Sequence, residues 1–160
     1  GKPIRALSQE AKNKIGERGE KIAFSEYLKK KYLATNKLIA EEENKLIFEE
    51  SNGNQIEIIH LNADTLKQGT GCDIIIKRAD EIIEYIEVKS TETDSRTLYQ
   101  VTGNQWALAH RLFNEKRGND YKIFVVRKVF DINPTVTEIV NPIRLWKDGL
   151  LKAHPVNFEL

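Results

Sequence analysis

The chain has 160 residues, a length typical of one domain that buries an apolar core without disulfides or a structural metal. Hydrophobic residues make up 40% and charged residues 31%, as in soluble globular proteins, and no apolar run is long enough to cross a bilayer. The formal net charge of +1 does not by itself indicate a nucleic-acid partner, because such a partner needs a local basic patch. We therefore expect one domain without a membrane partner.

Cysteine usage and the N-terminus indicate the compartment. Cys72 is the single cysteine, so no internal disulfide can form, and no cysteine and histidine cluster has the spacing of a zinc site. No signal peptide is visible. We expect a cytoplasmic or nucleoid-associated protein in which any metal ion has oxygen ligands. Because the sequence begins with Gly1 and has no methionine, we also expect an excised domain of a larger protein.

The first predicted element is a long amphipathic helix from Ser8 to about Leu33, with Ser8 as its N-cap. Gly16 and Gly19 interrupt it at a cost of roughly 1 kcal/mol each relative to alanine, which indicates close packing or a later helix start. Basic residues crowd the helix and are either solvated surface or phosphate contacts. They are Lys12, Lys14, Arg18, Lys21 and the run 29–31.

Strands dominate the next part of the chain. Two strand-like runs, 45–50 and 55–61, flank an Asn-Gly turn and predict a β-hairpin. The apolar runs 72–76 and 82–90 predict two further strands that are covered on both faces and joined by a tight turn. Alternation along the second strand places four side chains on one face: Ile83, Tyr85, Glu87 and Lys89. Glu87 and Lys89 are therefore expected to point the same way.

The remaining chain combines a helix with further strands. Thr102 and Gln105 have the spacing of a capping box, which opens a helix to about Lys116. Strands are predicted near 98–101, at 121–130 and at 135–140, before a short helix or turn around Trp146. The order of elements predicts a single α/β domain over 1–160, with a mixed sheet flanked by helices.

Three charged residues fall where two of these strands meet. Asp73 lies near the start of one buried strand, and Glu87 and Lys89 lie near the end of the next. Charged side chains are rarely left within apolar strands unless they are paired or bind a metal ion. A divalent ion such as Mg²⁺ takes oxygen ligands and keeps several waters, which suits two carboxylates, a backbone carbonyl and a phosphate. Glu-x-Lys alone is more often a surface ion pair, and the preceding aspartate is what favours a site.

The motif Gly-Cys-Asp at 71–73, followed on the next strand by Glu-Val-Lys at 87–89, resembles the signature of the PD-(D/E)xK nuclease superfamily. Gly-Glu-Arg-Gly-Glu at 16–20 and Gln-Trp at 105–106 are similar to segments of its Holliday-junction-resolvase-like and restriction-like members. The same motifs resemble the C-terminal domain of the plant NO VEIN protein, which also occurs in bacterial ATPase-linked proteins. Two departures are Cys72, which replaces the signature proline, and Gln105, where the NO VEIN-type pattern commonly has glutamate.

The resemblance implies a restriction-endonuclease-like fold with an αβββαβ core. It also implies a metal-dependent DNA endonuclease, the nuclease module of a larger ATPase-linked defence, restriction or DNA-processing protein. The implied catalytic residues are Asp73, Glu87, Lys89 and Glu20, and the implied ligands of Mg²⁺ or Mn²⁺ are Asp73, Glu87 and the Val88 carbonyl. We expect nucleic-acid contacts from Lys12, Lys14, Arg18, Lys21, Ser90, Thr91 and Gln105.

Several alternatives stay open at this point. Glu17 can replace Glu20, and Ser90 and Thr91 either bind phosphate or begin a loop. The histidines at 60, 110 and 154 are interpreted as packing or surface residues, and Cys72 as a small buried residue. RNA is an alternative substrate, and a catalytically inactive module that binds nucleic acid or another protein is an alternative function. One site cuts one strand, so double-strand cleavage needs a homodimer or another domain of the full-length protein.

Overall fold

The computed structural model describes residues 7–61, 70–95 and 99–152. These residues form a mixed seven-stranded sheet in which the strands lie side by side in chain order. All neighbouring strands are antiparallel except the fifth and sixth, which are parallel and joined by a helix. Within the same residues, no helix is both long enough and apolar enough to span a membrane.

The helices and strands have the following bounds. The helices are α1 (Gln9–Lys21), a π-helical segment (Ile22–Leu28), α2 (Lys29–Leu33), α3 (Gly103–Asn114), a 3₁₀ turn (Gly118–Asp120) and α4 (Pro142–Lys147). The strands are β1 (Lys37–Glu41), β2 (Lys45–Glu49), β3 (Gln55–His60), β4 (Ile74–Arg78), β5 (Glu81–Ser90), β6 (Tyr121–Arg127) and β7 (Thr135–Val140). The predicted α/β class with a mixed sheet is thereby confirmed.

Each face of the sheet has its own apolar core. The first core lies under α1 and the π-helical segment, where Phe24 and Leu28 pack with strand residues such as Ile76. The second lies under α3 and α4, where Leu112 and Ile143 pack with alternate residues of β6. This two-sided burial explains why the central strands have continuous apolar runs rather than a strict alternation of apolar and polar residues.

The predicted first helix is confirmed, and its N-cap Ser8 accepts a hydrogen bond from the Ala11 N–H at 3.1 Å. Its two glycines have different surroundings. A Cβ at Gly19 would lie 1.7 Å from Ser90 Oγ, whereas a Cβ at Gly16 would meet nothing within 4 Å. Gly19 therefore permits a close approach of α1 to the end of β5, and Gly16 has no comparable role.

Three predictions for the strands need correction. The edge strand β1 was not predicted, because its alternating exposure and its lysine, alanine and glutamate residues give a weak strand signal. The strand expected at 98–101 is absent from 99–101, and position 98 lies outside the described residues. A β-bulge opposite Ile76 shifts the register and moves Ile83 to the α1 face, so Ile83 does not share a face with Glu87.

Candidate active site

Hydrogen bonds to β5 and to the residue after β3 fix Asp73, which immediately precedes β4. Its N–H donates to the Ile86 carbonyl at 2.8 Å, and its carbonyl accepts from the Leu61 N–H at 2.9 Å. Its side chain is buried, and Oδ2 accepts a hydrogen bond from the Val88 N–H at 2.8 Å. The aspartate is thus a fixed part of the sheet where β4 begins.

The loop before Asp73 is clamped between α3 and β6. Gly71 has a φ of +77°, and a Cβ there would lie 2.6 Å from the Asn104 carbonyl oxygen. The buried hydroxyl of Tyr121 donates to the Gly71 carbonyl at 2.8 Å. A side chain at position 71 would therefore be strained and would also collide with α3.

Glu87 lies beside Asp73 and is only 5% exposed. Burial raises its pKa well above the ordinary value, the negative charge of Asp73 raises it further, and Lys89 only partly opposes them. Lys89 Nζ lies 3.3 Å from Glu87 Oε1, and its side chain is 14% exposed. Asp73, Glu87 and Lys89 are therefore brought together, with two acidic groups for one basic group.

Gln105, the third residue of α3, contacts both Glu87 and Lys89. Its Nε2 donates to Glu87 Oε1 at 2.6 Å, and its Oε1 accepts from Lys89 Nζ at 2.9 Å. The same oxygen accepts from the Thr102 N–H at 2.9 Å, which completes the predicted capping box. The side chain of Gln105 therefore both caps α3 and contacts the charged residues of β5.

Glu20 is on α1, against the other face of the sheet. Its Oε1 lies 3.0 Å from His60 Nε2, and the His60 ring packs against Phe24 with centroids 5.4 Å apart. No group of three or more histidine, cysteine or acidic side chains that could bind a metal ion occurs within 7–61, 70–95 and 99–152. Glu20 is thus not grouped with Asp73 and Glu87 as a third metal ligand, and the exposed Glu17 is not either.

Residues 30–139 match the family described as Protein NO VEIN, C-terminal. The chain belongs to this family. The match covers well over half of the chain and includes Asp73, Glu87, Lys89 and Gln105, whereas Glu20 precedes it. No curated protein and no solved structure matches the chain. The resemblance to the NO VEIN C-terminal domain is thereby confirmed, and membership of the PD-(D/E)xK superfamily stays a prediction.

The basic residues of this NO VEIN C-terminal domain lie mainly on the exposed side of α1. Lys12, Lys14 and Lys21 are exposed, and Arg18 donates from Nε to the Val129 carbonyl at 3.3 Å. In the run 29–31, Lys29 pairs with Glu41 at 2.8 Å and Lys31 pairs with Glu138 at 3.2 Å. Lys14 pairs with Glu10 at 3.6 Å in an exposed ion pair, so the exposed lysines of α1 are only weakly neutralised.

Ser90 and Thr91 follow Lys89 and are packed rather than open. Ser90 Oγ is buried against Gly19 and has no hydrogen-bond partner in the described part of the chain. Thr91 is 6% exposed, and its Oγ1 accepts from the Thr93 N–H at 3.3 Å. The missing side chain of Gly19 allows α1 to lie this close to Ser90. The phosphate contacts predicted for Ser90 and Thr91 stay predictions.

Two tertiary contacts were not predicted, one on the α1 face of the sheet and one beside the site. His60 was interpreted as a packing or surface residue, yet it is the partner of Glu20. Tyr121 was seen only as the start of a strand, yet its hydroxyl binds the Gly71 carbonyl. Both contacts join residues at least 40 positions apart, so no local pattern could have indicated them. His110 is half-buried on α3, and His154 lies outside the described residues.

Proposed function

We propose that this NO VEIN C-terminal domain is a metal-dependent nuclease that hydrolyses phosphodiester bonds in DNA. Two buried carboxyl groups beside a single lysine are the observation that supports this function best. Burying an unbalanced pair of acids costs stability, because each carboxylate loses its hydration and repels the other. Such a cost is typical of a site that is built for a ligand rather than for the fold.

A second, half-buried charge cluster in the same protein gives the contrast. On the α1 face, Glu84 pairs with Lys122 at 2.5 Å, and Glu138 accepts from Tyr27 and pairs with Lys31. Burial tends to raise the pKa of Glu138, but the Tyr27 hydroxyl and the nearby lysines outweigh it and lower the pKa. That cluster has two acidic and two basic side chains, so its charges are balanced without a further cation. The pair of Asp73 and Glu87 is not balanced, and the pKa of Glu87 is raised instead.

The donor atoms around this pair fit a hard divalent cation. Asp73 and Glu87 offer carboxylate oxygens, which Mg²⁺ and Mn²⁺ prefer, and Mg²⁺ commonly uses only one or two carboxylates together with waters and substrate phosphates. The N–H and C=O of a strand residue point to the same neighbouring strand. Because the Val88 N–H faces Asp73, the Val88 carbonyl faces the same side and is a third candidate ligand.

The proposed chemistry assigns a role to each residue. A bound divalent ion supplies a Lewis acid for the phosphate and lowers the pKa of a coordinated water. Asp73 and Glu87 would bind that ion, and the fixed backbone of Asp73 would set its place at the start of β4. Lys89 would orient the attacking water and stabilise the negative charge that develops on the phosphate.

The direction of α1 supports a nucleic-acid substrate. Gly19 packs on Ser90, the last residue of β5, and later helix residues contact the interior of the sheet, as Tyr27 does with Phe124. The residues before Gly19 therefore lie towards the end of β5 that carries Glu87 and Lys89, and Ile15 among them is still buried in the core. With a rise of 1.5 Å per residue, Lys12 lies roughly 10 Å beyond Gly19 along the helix axis. The exposed lysines before Gly19 would contact backbone phosphates near the site.

The test is cleavage of plasmid, linear and single-stranded DNA and of RNA, with Mn²⁺ or with chelator. We expect Mn²⁺-dependent cleavage of DNA that Glu87→Gln abolishes. Glu84→Gln is the matched control, because it makes the same substitution on the same strand but in the balanced cluster. Metal-dependent binding without cleavage by the wild type would favour the inactive binding module, and equal activity in the two variants would place the site elsewhere.

A further inference from the structure

The hydrogen bonds of Gln105 exceed what a helix cap requires. A capping box needs an acceptor on the third helical residue for the N-cap N–H, and Gln105 Oε1 provides it for Thr102. Capping leaves the Nε2 of the amide unused. Here Nε2 donates to Glu87 Oε1, while Oε1 also accepts from Lys89 Nζ. Glutamate would cap α3 equally well, so capping alone does not explain an amide.

Only one orientation of the amide satisfies all three partners. Lys89 Nζ and the Thr102 N–H are donors and need the amide oxygen, whereas the Glu87 carboxylate is an acceptor and needs the amide nitrogen. A glutamate at this position would have no donor for Glu87 and would add a third acidic group beside Asp73. The residue type at 105 is therefore matched to the pair of Glu87 and Lys89.

The distances indicate what the amide does to that pair. Unhindered ammonium–carboxylate hydrogen bonds are about 2.7–2.9 Å long. Lys89 Nζ is 3.3 Å from Glu87 Oε1 but 2.9 Å from Gln105 Oε1, so the ammonium is closer to the amide than to the carboxylate. Gln105 thus takes up one hydrogen-bonding direction of each charged group and keeps the two groups apart.

We propose that Gln105 is a positioning residue of the nuclease site: it prevents Lys89 from closing onto Glu87 as a tight ion pair. The lysine then stays available to the attacking water, and Glu87 stays available to the metal ion. This role rests on the proposed nuclease function for its effect on rate. The effect of Gln105 on the distance between Lys89 and Glu87 does not depend on turnover. Because α3 provides the residue, the start of that helix sets the geometry of two side chains on β5.

The decisive variants are Gln105→Met and Thr102→Ala. Methionine keeps the length of the side chain but removes both amide contacts. Thr102→Ala removes the hydroxyl that accepts from the Gln105 N–H and so weakens the helix cap, but leaves the Gln105 side chain on Glu87 and Lys89. Weakening of the helix cap should lower the melting temperature in both variants. Only Gln105→Met also removes the contacts with Glu87 and Lys89.

Two readouts separate positioning from capping. We expect Gln105→Met to lower the turnover number about 10- to 100-fold with little change in KM, as is usual for residues that orient metal ligands, while Thr102→Ala keeps the wild-type turnover number. Gln105→Glu, which caps but cannot donate, should resemble the methionine variant. In a crystal structure of Gln105→Met, the distance from Lys89 Nζ to Glu87 Oε1 should shorten from 3.3 Å to the length of an unhindered ammonium–carboxylate hydrogen bond, about 2.7–2.9 Å.

The outcomes distinguish this inference from the proposed function. Equal turnover numbers for Gln105→Met and Thr102→Ala would overturn the positioning role, as would an unchanged distance between Lys89 and Glu87 in the crystal structure. If the wild type cleaves nothing, the proposed function fails, and the crystal structure alone still decides whether Gln105 separates the two groups.

Discussion

Binding of a divalent cation at Asp73 and Glu87 should release a proton, so the affinity for Mn²⁺ should fall as the pH is lowered. Burial and the charge of Asp73 raise the pKa of Glu87 well above its ordinary value of 4.5. The metal-free protein therefore keeps a proton on Glu87 at pH values where an exposed glutamate is fully ionised. A metal ion needs the deprotonated carboxylate and must displace that proton.

The size of the effect follows from the number of groups that titrate. With one proton to displace from Glu87, the Mn²⁺ affinity falls about tenfold for each pH unit below the raised pKa, equivalent to about 1.4 kcal/mol per unit. Above the raised pKa the dependence disappears. The fall should therefore begin well above pH 4.5, where an exposed glutamate would still be charged.

Calorimetric titration with Mn²⁺ in two buffers of different ionisation enthalpy measures the protons released directly. We expect a value that rises towards one per ion below the raised pKa. Asp73→Asn and Glu87→Gln should each abolish binding, together with the rise in melting temperature that Mn²⁺ gives the wild type. Binding that releases no proton across the whole accessible pH range would refute this account of the carboxyl pair.

Three further predictions concern the same face and its support. Lys89→Ala should lower the cleavage rate on the order of a hundredfold with little loss of DNA affinity measured with Ca²⁺, and an unchanged rate would contradict its role. Without metal at neutral pH, Glu87→Gln should raise the melting temperature, because the raised folded-state pKa of Glu87 means that ionising this carboxyl group costs stability. The gain should shrink as the pH falls below the raised pKa and vanish below the ordinary value of 4.5, where the group is protonated in both the folded and the unfolded chain. Gly19→Ala should destabilise the fold because its Cβ would meet Ser90 Oγ at 1.7 Å, whereas Gly16→Ala, in open space, should stabilise it by up to about 1 kcal/mol, as denaturant unfolding of the two variants can measure.

The acidic pair was predictable because local geometry determines it. A tight turn joins β4 and β5, so a carboxylate at the start of one strand must lie near the end of the next, and two-residue periodicity puts Glu87 and Lys89 on one face. The position of Ile83 was not predictable, because a β-bulge on the same strand changes the register without a sequence signal. Two-residue periodicity therefore predicts which face of a strand a side chain occupies only for residues on the same side of the bulge.

The supporting contacts of the site were predictable only in part. The capping role of Gln105 follows from its spacing to Thr102, which is a local property of α3. Its contacts with Glu87 and Lys89 depend on how α3 crosses β5, which is a tertiary property. The same limit applies to Glu20, whose likeness to a family motif gave a catalytic interpretation, while its described partner is His60.

The side-by-side order of the strands has a consequence for how the chain acquires its structure during synthesis. Hairpins from β1 to β5 pair neighbours in sequence, so their closure costs little chain entropy and can begin as the segments emerge. The first helix is different, because Tyr27 finds its partner Glu138 only after 111 further residues. The contacts of this helix with the sheet are therefore complete only after β7 has been made. A ribosome-bound chain that stops before β6 has both acidic residues of the site but not the parallel neighbour of β5.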